Sequence, residues 1–226
     1  MSGVLTRLAG GLVVSCQAYP GEPMRHTETM TRVARAVVAG GAVGVRAQGL
    51  ADLHAMRPLL RVPIIGLWKD GATGVYITPS VAHAVAVART GADIVAIDGT
   101  LRPRPDGSRF ADACAAVHAE GALVMADCAS VADAVAAAAA GADVVGTTLA
   151  GYTPDRRRTP GPDLELVTAL VEAVDVPVIA EGRIHTPADA VAALAAGAYA
   201  VVVGTAITHP TSITSWFAAA VRGKEA

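Results

Sequence analysis

Short apolar runs alternate along this chain with longer segments in which alanine recurs at helical spacing. Each run is four to six residues long, rich in β-branched residues and apolar at consecutive positions. Continuous rather than alternating hydrophobicity predicts strands buried on both faces, as in a parallel sheet covered by helices. The eight predicted strands are Leu12–Ser15, Val43–Ala47, Pro63–Trp68, Ile94–Asp98, Leu123–Asp127, Val144–Thr147, Pro177–Ala180 and Ala200–Gly204.

A Gly-Ala pair recurs between a helical segment and the strand that follows it. Glycine just past a helix supplies the left-handed backbone that turns the chain into the next element. Eight strand–helix repeats in 226 residues predict one domain, a closed (β/α)8 TIM barrel over residues 1–226. An open doubly wound sheet is the alternative, but no GxGxxG follows the first strand and eight strands fit closure better. The pairs are Gly41-Ala42, Gly91-Ala92, Gly121-Ala122, Gly141-Ala142 and Gly197-Ala198.

Two segments imitate membrane-directed sequences. Arg7–Cys16 has one basic residue and a short apolar run before a cysteine, as bacterial lipoprotein signals do, but a buried first strand explains it better. Ala190–Val221 contains no Asp, Glu, Lys or Arg, yet glycine, threonine, histidine and proline interrupt it. A helix followed by a strand accounts for this second segment, so we expect no membrane partner.

Composition and charge favour a globular protein without a nucleic-acid partner. Hydrophobic residues make up 53% of the chain and charged residues 17%, which is enough apolar surface for a sizeable core. The formal net charge is −2, and the one dense basic run, residues 156–158, is too short to follow a phosphate backbone. Cys16, Cys114 and Cys128 have neither metal nor disulfide spacing, which favours a reducing compartment, the cytoplasm.

Polar residues end nearly every apolar run. In a parallel barrel the carboxyl ends of the strands meet at one face, where the loops that follow build the active site. One polar residue at a strand end is ordinary, but a complete ring of them indicates a site. The ring consists of Gln17, Arg46, Lys69, Asp98, Asp127, Thr147, Glu181 and Thr205.

Lys69 is unusual because this chain otherwise uses arginine for its cations. Sixteen of the eighteen basic residues are arginine, and the other lysine is Lys224 near the C-terminus. Burial can neutralise a lysine but not an arginine, so Lys69 is a candidate base or Schiff-base nucleophile. Glu181 follows the seventh predicted strand and faces the same mouth, where an acid and an amine can divide proton transfer. A structural pair with Arg46 or Arg183 is the other interpretation of Glu181.

Glycines follow the seventh and eighth predicted strands. Gly182 precedes Arg183, and Gly204 precedes Thr205. In eight-stranded barrels, backbone N–H groups of these two loops and a nearby helix N-terminus often cradle a phosphate. A glycine after a strand can be a simple turn, but two at these positions predict a phosphate site.

Several short strings, spread over most of the chain, match one family in order. They are Val14–Ala18 with Pro20–Pro23, Gly44–Gly49, Pro63–Gly66 ahead of Lys69, Ile77–Pro79, Asp98–Thr100 with Arg102 and Arg104-Pro105, Met125–Cys128, Gly146–Thr153 and Ala180–Ile184. Together they resemble the N-acetylmannosamine-6-phosphate 2-epimerase family. The resemblance implies a cofactor-free, phosphate-binding barrel that interconverts N-acetylmannosamine 6-phosphate and N-acetylglucosamine 6-phosphate in sialic-acid and amino-sugar catabolism, and a homodimer.

The resemblance also implies roles for individual residues. Lys69 is the implied catalytic lysine and Glu181 the implied catalytic carboxylate. Gln17, Arg46 and Asp127 are the implied ligands of the sugar and its N-acetyl group.

Two positions depart from the family pattern. The family usually has an arginine directly after its lysine, where this chain has Asp70-Gly71. After the eighth strand it usually has an arginine before a proline as a phosphate ligand, where this chain has His209-Pro210. Both changes remove positive charge near a dianionic substrate. His209 is still a predicted phosphate ligand, but one whose charge depends on its protonation.

The implied reaction inverts C2, the carbon that bears the acetamido group. In the open-chain aldose C2 lies next to the C1 carbonyl, so a neutral Lys69 can remove its proton to give an enolate, and reprotonation from the other face gives the epimer. No hydride moves, so we expect no nicotinamide. Asp98 and Asp127 lack the histidine partners of a transition-metal site, so we expect no dedicated metal site, while a Mg²⁺ carried by the phosphate stays open. Two alternatives stay open, a lyase or aldolase with a Schiff base on Lys69 and a sugar-phosphate-binding barrel without turnover.

Overall fold

The computed structural model describes residues 2–154 and 156–223, and eight strands within them form one closed barrel. The strands are β1 Leu12–Cys16, β2 Gly44–Gln48, β3 Ile64–Leu67, β4 Ile94–Asp98, β5 Leu123–Asp127, β6 Val144–Gly146, β7 Val178–Glu181 and β8 Ala200–Val203. Each strand pairs in parallel with the next, and β8 closes the barrel on β1. The predicted TIM barrel is therefore confirmed, and the open doubly wound sheet is wrong.

One short helix precedes the first strand, and the other helices follow the strands around the outside of the barrel. They are α1 Gly3–Thr6, α2 Thr27–Ala39, α3 Leu50–Met56, α4 Val81–Ala88, α5 Phe110–Ala119, α6 Val131–Ala139, α7 Leu164–Ala173, α8 Pro187–Ala195, α9 Thr205–Thr208 and α10 Pro210–Val221, with a 3-10 turn at Arg57–Leu59. Ser80, Ser130 and Thr186 begin α4, α6 and α8 by accepting a hydrogen bond from a backbone N–H three residues on. Such side-chain caps satisfy N–H groups that the first helical turn leaves free.

The Gly-Ala pairs have the left-handed glycine backbone that their positions predict. All five glycines have φ between 81° and 107°, the left-handed region that a residue with a Cβ adopts only under strain. The alanine after each of them is buried against the barrel. At each of these glycines the helix ends and the chain turns, and the next strand begins within a few residues.

The interior of the barrel is apolar toward its amino end. Buried side chains from seven of the strands pack there into one cluster, which includes Val13, Ile65 and Met125. Leu5 and Leu8, in and just after α1, join this cluster and close the amino end of the barrel. The carboxyl end has no such cover among the described residues and is the end that opens to a cavity.

The strand limits differ from the predicted limits by no more than one residue at either end. The difference matters at Glu181, which lies inside β7 rather than after it. Arg46 lies inside β2, as it does inside the predicted strand. The uncharged segment Ala190–Val221 is divided among the end of α8, β8, α9 and α10. No helix in the described part of the chain has the length and hydrophobicity needed to cross a bilayer.

Candidate active site

A cavity of about 690 Å³ occupies the carboxyl end of the barrel. The predicted site residues that line it are Gln17, Arg46, Lys69, Glu181, Gly182, Arg183, Gly204, Thr205 and His209. Three residues of the predicted ring, Asp98, Asp127 and Thr147, are buried and do not line the cavity, and Asp127 lies fully buried behind Arg46. The topology therefore brings the predicted residues together from loops and strands that are far apart in the sequence.

Arg46 is the centre of a buried charge network. Its guanidinium donates to both carboxylate oxygens of Asp127, with N–O distances of 3.1 and 2.6 Å, and lies 3.1 Å from Glu181 Oε2. Burial disfavours the charge on Arg46, but the Asp127 and Glu181 carboxylates outweigh burial and raise its pKa. Arg46 is thus a fixed cation shared by two carboxyl groups. Asp127 holds it from behind, and Glu181 meets it at the cavity wall.

Glu181 has the electrostatic properties of an acid–base group. Burial raises the pKa of its carboxyl group to about 7, with Arg46 opposing and the Asp127 charge reinforcing the shift. The hydroxyl of Thr148 lies 2.6 Å from Asp127 Oδ1 and 3.2 Å from Glu181 Oε2, so it links the two carboxyl groups. The backbone of Glu181 is fixed by the Thr147 hydroxyl, which accepts from its N–H and donates to its C=O. A carboxyl group held this way can give or take a proton near neutral pH.

A short backbone excursion after β3 places Lys69 over the barrel. Lys69 forms an antiparallel bridge with Ile77, and the N–H of Thr78 donates to the carbonyl of Trp68 at 2.7 Å. Thr78 itself has φ of 48°, and its hydroxyl donates to the carbonyl of Ala96 in β4 at 2.6 Å. The chain leaves β3, reverses and is tied back to the barrel, which holds the stem of Lys69 in one place.

The surroundings of Lys69 favour its neutral form. Burial is the largest cause that lowers the pKa of Lys69, and the positive charge of Arg46 adds to it. The carboxyl groups of Glu181 and Asp127 oppose this shift. A lysine with a lowered pKa can act as a base, which an arginine cannot do in a protein.

Arg183 and Gly182 form a tight turn directly after Glu181. Gly182 has φ of 110° and Arg183 has φ of 56°, which is unusual for a residue with a side chain. The guanidinium of Arg183 donates to the carbonyls of Ala150 and Gly161 and to the hydroxyl of Thr159. These bonds commit the side chain to the loop after β6, so the part of Arg183 available to a phosphate is its backbone.

The loop after β8 approaches β1 closely. A Cβ added at Gly204 would lie 3.2 Å from the Cβ of Ser15, so a side chain there would crowd β1. The hydroxyl of Thr208, the last residue of α9, donates to the carbonyl of Ser15 at 2.7 Å. This bond fixes α9, which begins at Thr205, against β1. The glycines and the threonine predicted for phosphate binding therefore line one end of the cavity.

His209 lies at this end of the cavity with partners on both ring nitrogens. Nδ1 accepts from the N–H of Ser212 and caps α10, and Nε2 lies 2.5 Å from Glu22 Oε1. A phosphate would meet an imidazole that already has a carboxylate beside it. Its predicted role in phosphate binding stays a prediction.

Gln17 and Arg46 present unpaired polar atoms at the site. Gln17 Nε2 donates to the hydroxyl of Ser15 at 2.9 Å, while Gln17 Oε1 and Arg46 Nε are buried without a partner among the described residues. Buried polar atoms are nearly always paired in folded proteins, so a bound ligand is the natural partner for these two. Both residues were predicted to hold the sugar.

Several other residues at the site were not predicted individually as site residues. Tyr19 and Tyr76 line the cavity, and Thr148 links the two carboxyl groups, but tyrosine and threonine in loops are common. Only the register of neighbouring strands brings Thr148 to Asp127. Asp70 was singled out as a departure, and its carboxylate lies 3.3 Å from His83 Nε2 and is not part of the cavity lining. Among the described residues no group of three or more His, Cys, Asp or Glu side chains is arranged to hold a metal ion.

The family model described as "Putative N-acetylmannosamine-6-phosphate epimerase" matches residues 30–223 of this chain. A protein of Cutibacterium acnes named "Putative N-acetylmannosamine-6-phosphate 2-epimerase" is 58% identical over 222 residues, which cover 97% of each chain. A protein of the same name from Corynebacterium glutamicum is 47% identical over 221 residues, which cover 96% of this chain and 95% of that protein.

Solved structures agree with the sequence relatives. The N-acetylmannosamine-6-phosphate 2-epimerase from Clostridium perfringens has a TM-score of 0.93 to this chain at 40% identity, and the match covers 96% of each chain. The nitroalkane oxidase from Streptomyces ansochromogenes has a TM-score of 0.63 at 18% identity over 91% of this chain and 68% of that one, so it shares the fold alone. The chain therefore belongs to the N-acetylmannosamine-6-phosphate epimerase family, whose members are isomerases.

Proposed function

We propose that this protein inverts C2 of N-acetylmannosamine 6-phosphate to give N-acetylglucosamine 6-phosphate, with Lys69 as the base. The observation that carries the proposal is that Lys69, whose pKa is lowered, and Glu181, whose pKa is raised to about 7, line the same cavity. Two titratable groups whose pKa values are shifted toward neutrality are suited to removing and returning protons. The family membership supports the same substrate class.

The reaction begins when the neutral amine of Lys69 takes the C2 proton from the open-chain sugar. The electron pair of the C–H bond moves into the C2–C1 bond, and negative charge develops on the C1 oxygen. The Arg46 guanidinium supplies a fixed positive charge that stabilises this enolate without reorganising, because Asp127 holds it from behind. Return of a proton to the opposite face of C2 gives the epimer.

Glu181 is the second proton-transfer group of the proposed mechanism. At neutral pH a carboxyl group with a pKa of about 7 is present in both forms, so it can protonate an oxygen or the second face of C2. The Thr148 hydroxyl, within hydrogen-bond distance of both Glu181 and Asp127, fixes its orientation. Glu181 and Lys69 then exchange protonation states during one turnover.

The remaining predicted residues bind the substrate. Gln17 Oε1 accepts a hydrogen bond from the sugar or its N-acetyl group, and Arg46 Nε donates one to it. The backbone N–H groups near Gly182 and Gly204, with Thr205, bind the phosphate. We assign the reaction to amino-sugar and sialic-acid catabolism in the cytoplasm, where the buried free thiols of the three cysteines would stay reduced. A homodimer stays a prediction, and sedimentation velocity measures it.

The test is incubation of the purified protein with N-acetylmannosamine 6-phosphate, followed by NMR of the sugar. We expect conversion to an equilibrium mixture with the C2 epimer, and no conversion by Lys69→Ala or Lys69→Arg proteins that keep the wild-type circular dichroism spectrum. Arginine keeps the charge of lysine but not its capacity to be deprotonated. Ligand-dependent thermal stabilisation without conversion would instead indicate a binding barrel.

Borohydride separates the epimerase from a lyase or aldolase. A Schiff base on Lys69 would be reduced to a stable adduct and detected by mass spectrometry. We expect no adduct, because the proposed route removes a proton and forms no bond between Lys69 and the sugar.

A further inference from the structure

Tyr19 lines the cavity and contacts both Lys69 and His209, which follows β8 in the chain. The Nζ of Lys69 lies 5.7 Å from the centroid of the Tyr19 ring, a distance typical of a cation–π contact. On another side the ring meets His209 edge to face, with centroids 5.4 Å apart and planes at 75°. Tyr19 is 57% exposed, so its ring stands where the cavity meets solvent.

The carboxylate of Glu22 fixes the loop that carries Tyr19. Glu22 Oε2 accepts from the backbone N–H of Tyr19 at 2.9 Å, and Glu22 Oε1 lies 2.5 Å from His209 Nε2. His209 in turn caps α10 through Ser212. The position of the ring beside Lys69 is therefore set by residues near the carboxyl end of β8.

We propose that Tyr19 is a positioning residue for Lys69, its ring face stabilising the ammonium that forms when Lys69 accepts a proton, with Glu22 and His209 holding the ring in place. The ring face carries the negative part of a quadrupole and attracts a cation. Burial and Arg46 both disfavour the ammonium, which makes Lys69 a weaker base than an ordinary lysine. An aromatic face opposes this without adding a formal charge that would repel a phosphate.

The other charges around Lys69 are the same with or without the ring. Arg46 in β2 disfavours its ammonium, while Glu181 in β7 and Asp127 in β5 favour it. On the Tyr19 side the neighbouring titratable groups are Glu22, His209, Tyr76 and Tyr152. A substitution confined to the ring leaves all of these residues in place, so a change in the titration of Lys69 reports the ring itself.

The chain allows a direct measurement because it contains only two lysines, Lys69 and Lys224. Protein labelled with ¹³C at the lysine Cε gives two titrating NMR signals, and Lys224→Arg identifies which belongs to Lys69. Tyr19→Phe keeps the ring, Tyr19→Leu removes it at similar apolar volume, and Tyr152→Leu is the matched control. The Tyr152 ring contacts the guanidinium groups of Arg158 and Arg183, and no contact with Lys69 is found.

We expect the titration midpoint of Lys69 to fall by about half a unit to one unit in Tyr19→Leu, from the usual strength of a cation–π contact. Tyr19→Phe and Tyr152→Leu should titrate as the wild type does. An unchanged midpoint in Tyr19→Leu would overturn the proposal, and an equal shift in Tyr19→Phe would assign the effect to the hydroxyl instead of the ring face.

The kinetic part of this inference rests on the proposed function, whereas the titration does not. In Tyr19→Leu we expect the high-pH plateau of kcat/KM to fall about 2- to 10-fold, because a weaker base removes a proton more slowly. The pH midpoint of the same profile should move to lower pH. A higher KM with an unmoved lysine titration would mean that the ring only anchors the loop, which contradicts the proposal. If the wild type converts no sugar phosphate, the proposed function fails while the titration still tests the ring.

Discussion

Asp127→Asn is the substitution that exposes the energetics of the buried network most clearly. Asp127 is fully buried, and its two oxygens accept from Arg46 at 3.1 and 2.6 Å and from the Thr148 hydroxyl at 2.6 Å. An asparagine fits the same volume but must turn an NH2 group toward a guanidinium, so one hydrogen bond is lost and two donors meet. Arg46 would then keep Glu181 as its only carboxylate partner among the described residues.

The size of the effect follows from the burial of both partners. Breaking a buried ion pair on one side costs about 3–5 kcal/mol, and the remaining Glu181 contact places this case near the lower limit. A loss of about 3 kcal/mol corresponds to a fall in Tm of about 6–12 °C for a chain of this length. Urea unfolding followed by circular dichroism measures the free energy, and calorimetry measures Tm.

The same substitution should change the titration of Glu181. The Asp127 charge raises the pKa of Glu181, so its removal should lower that pKa and move the corresponding limb of the kcat profile to lower pH. Glu181→Gln lacks the titrating carboxyl group, so the limb that is missing from its pH profile is the one that belongs to Glu181. A loss of stability below about 1 kcal/mol together with an unmoved limb would refute the description of Arg46, Asp127 and Glu181 as one network.

Asp133→Asn is the matched control for this prediction. Asp133 is also buried, but its oxygens accept from the backbone N–H groups of Leu101 and Ala129, outside the site. We expect the control to lose stability because an amide cannot accept from both N–H groups. Its Glu181 limb should stay where it is in the wild type.

Three further substitutions test separate parts of the account. Because the pKa of Glu181 is raised, the folded state of the wild type binds more protons than the unfolded state between about pH 4.5 and 7. The free energy of unfolding should therefore decrease as pH rises through this range, and urea unfolding of Glu181→Gln should lack this decrease. Asp70→Asn should change KM less than about twofold, because the Asp70 carboxylate lies beside His83 and outside the cavity lining, and steady-state kinetics would contradict this with a larger change. Arg183→Lys should raise KM about tenfold and speed proteolysis in residues 150–161, since the single ammonium nitrogen of lysine cannot reach the three separate acceptors that the guanidinium nitrogens reach, and wild-type proteolysis would refute this role.

The barrel is predictable from the sequence because each strand is a continuous β-branched run that ends in a turn signal. The five Gly-Ala pairs mark the helix-to-strand junctions, and each glycine has the positive φ that its place requires. Lys69 is predictable as a candidate because arginine supplies almost every other cation. These signals are local, so they can be recognised without knowing how the chain folds.

The contacts within the site depend on positions that are far apart in the chain. Arg46 and Asp127 are 81 positions apart, and Glu22 and His209 are 187 apart, so only the closed barrel brings them together. The sequence predicts Asp127 at the mouth of the barrel, but its side chain points behind Arg46 and is sealed from the cavity. The sequence also predicts Arg183 for the phosphate, whereas the direction of that guanidinium depends on the positive φ of the residue and on the loop after β6.

Transfer of the C2 proton through Lys69 is the central claim, and deuterium exchange tests it most directly. N-acetylmannosamine 6-phosphate is incubated in D2O with the wild type and with Lys69→Arg, and NMR follows the C2–H signals of substrate and product. We predict that the wild type places deuterium at C2 of the product, because the two proton-transfer groups, the Glu181 carboxyl and the Lys69 ammonium, exchange their protons with solvent, and that Lys69→Arg leaves C2 fully protiated and unconverted. Conversion by the wild type with no C2–H bond broken, or rapid C2 exchange by Lys69→Arg, would contradict the account.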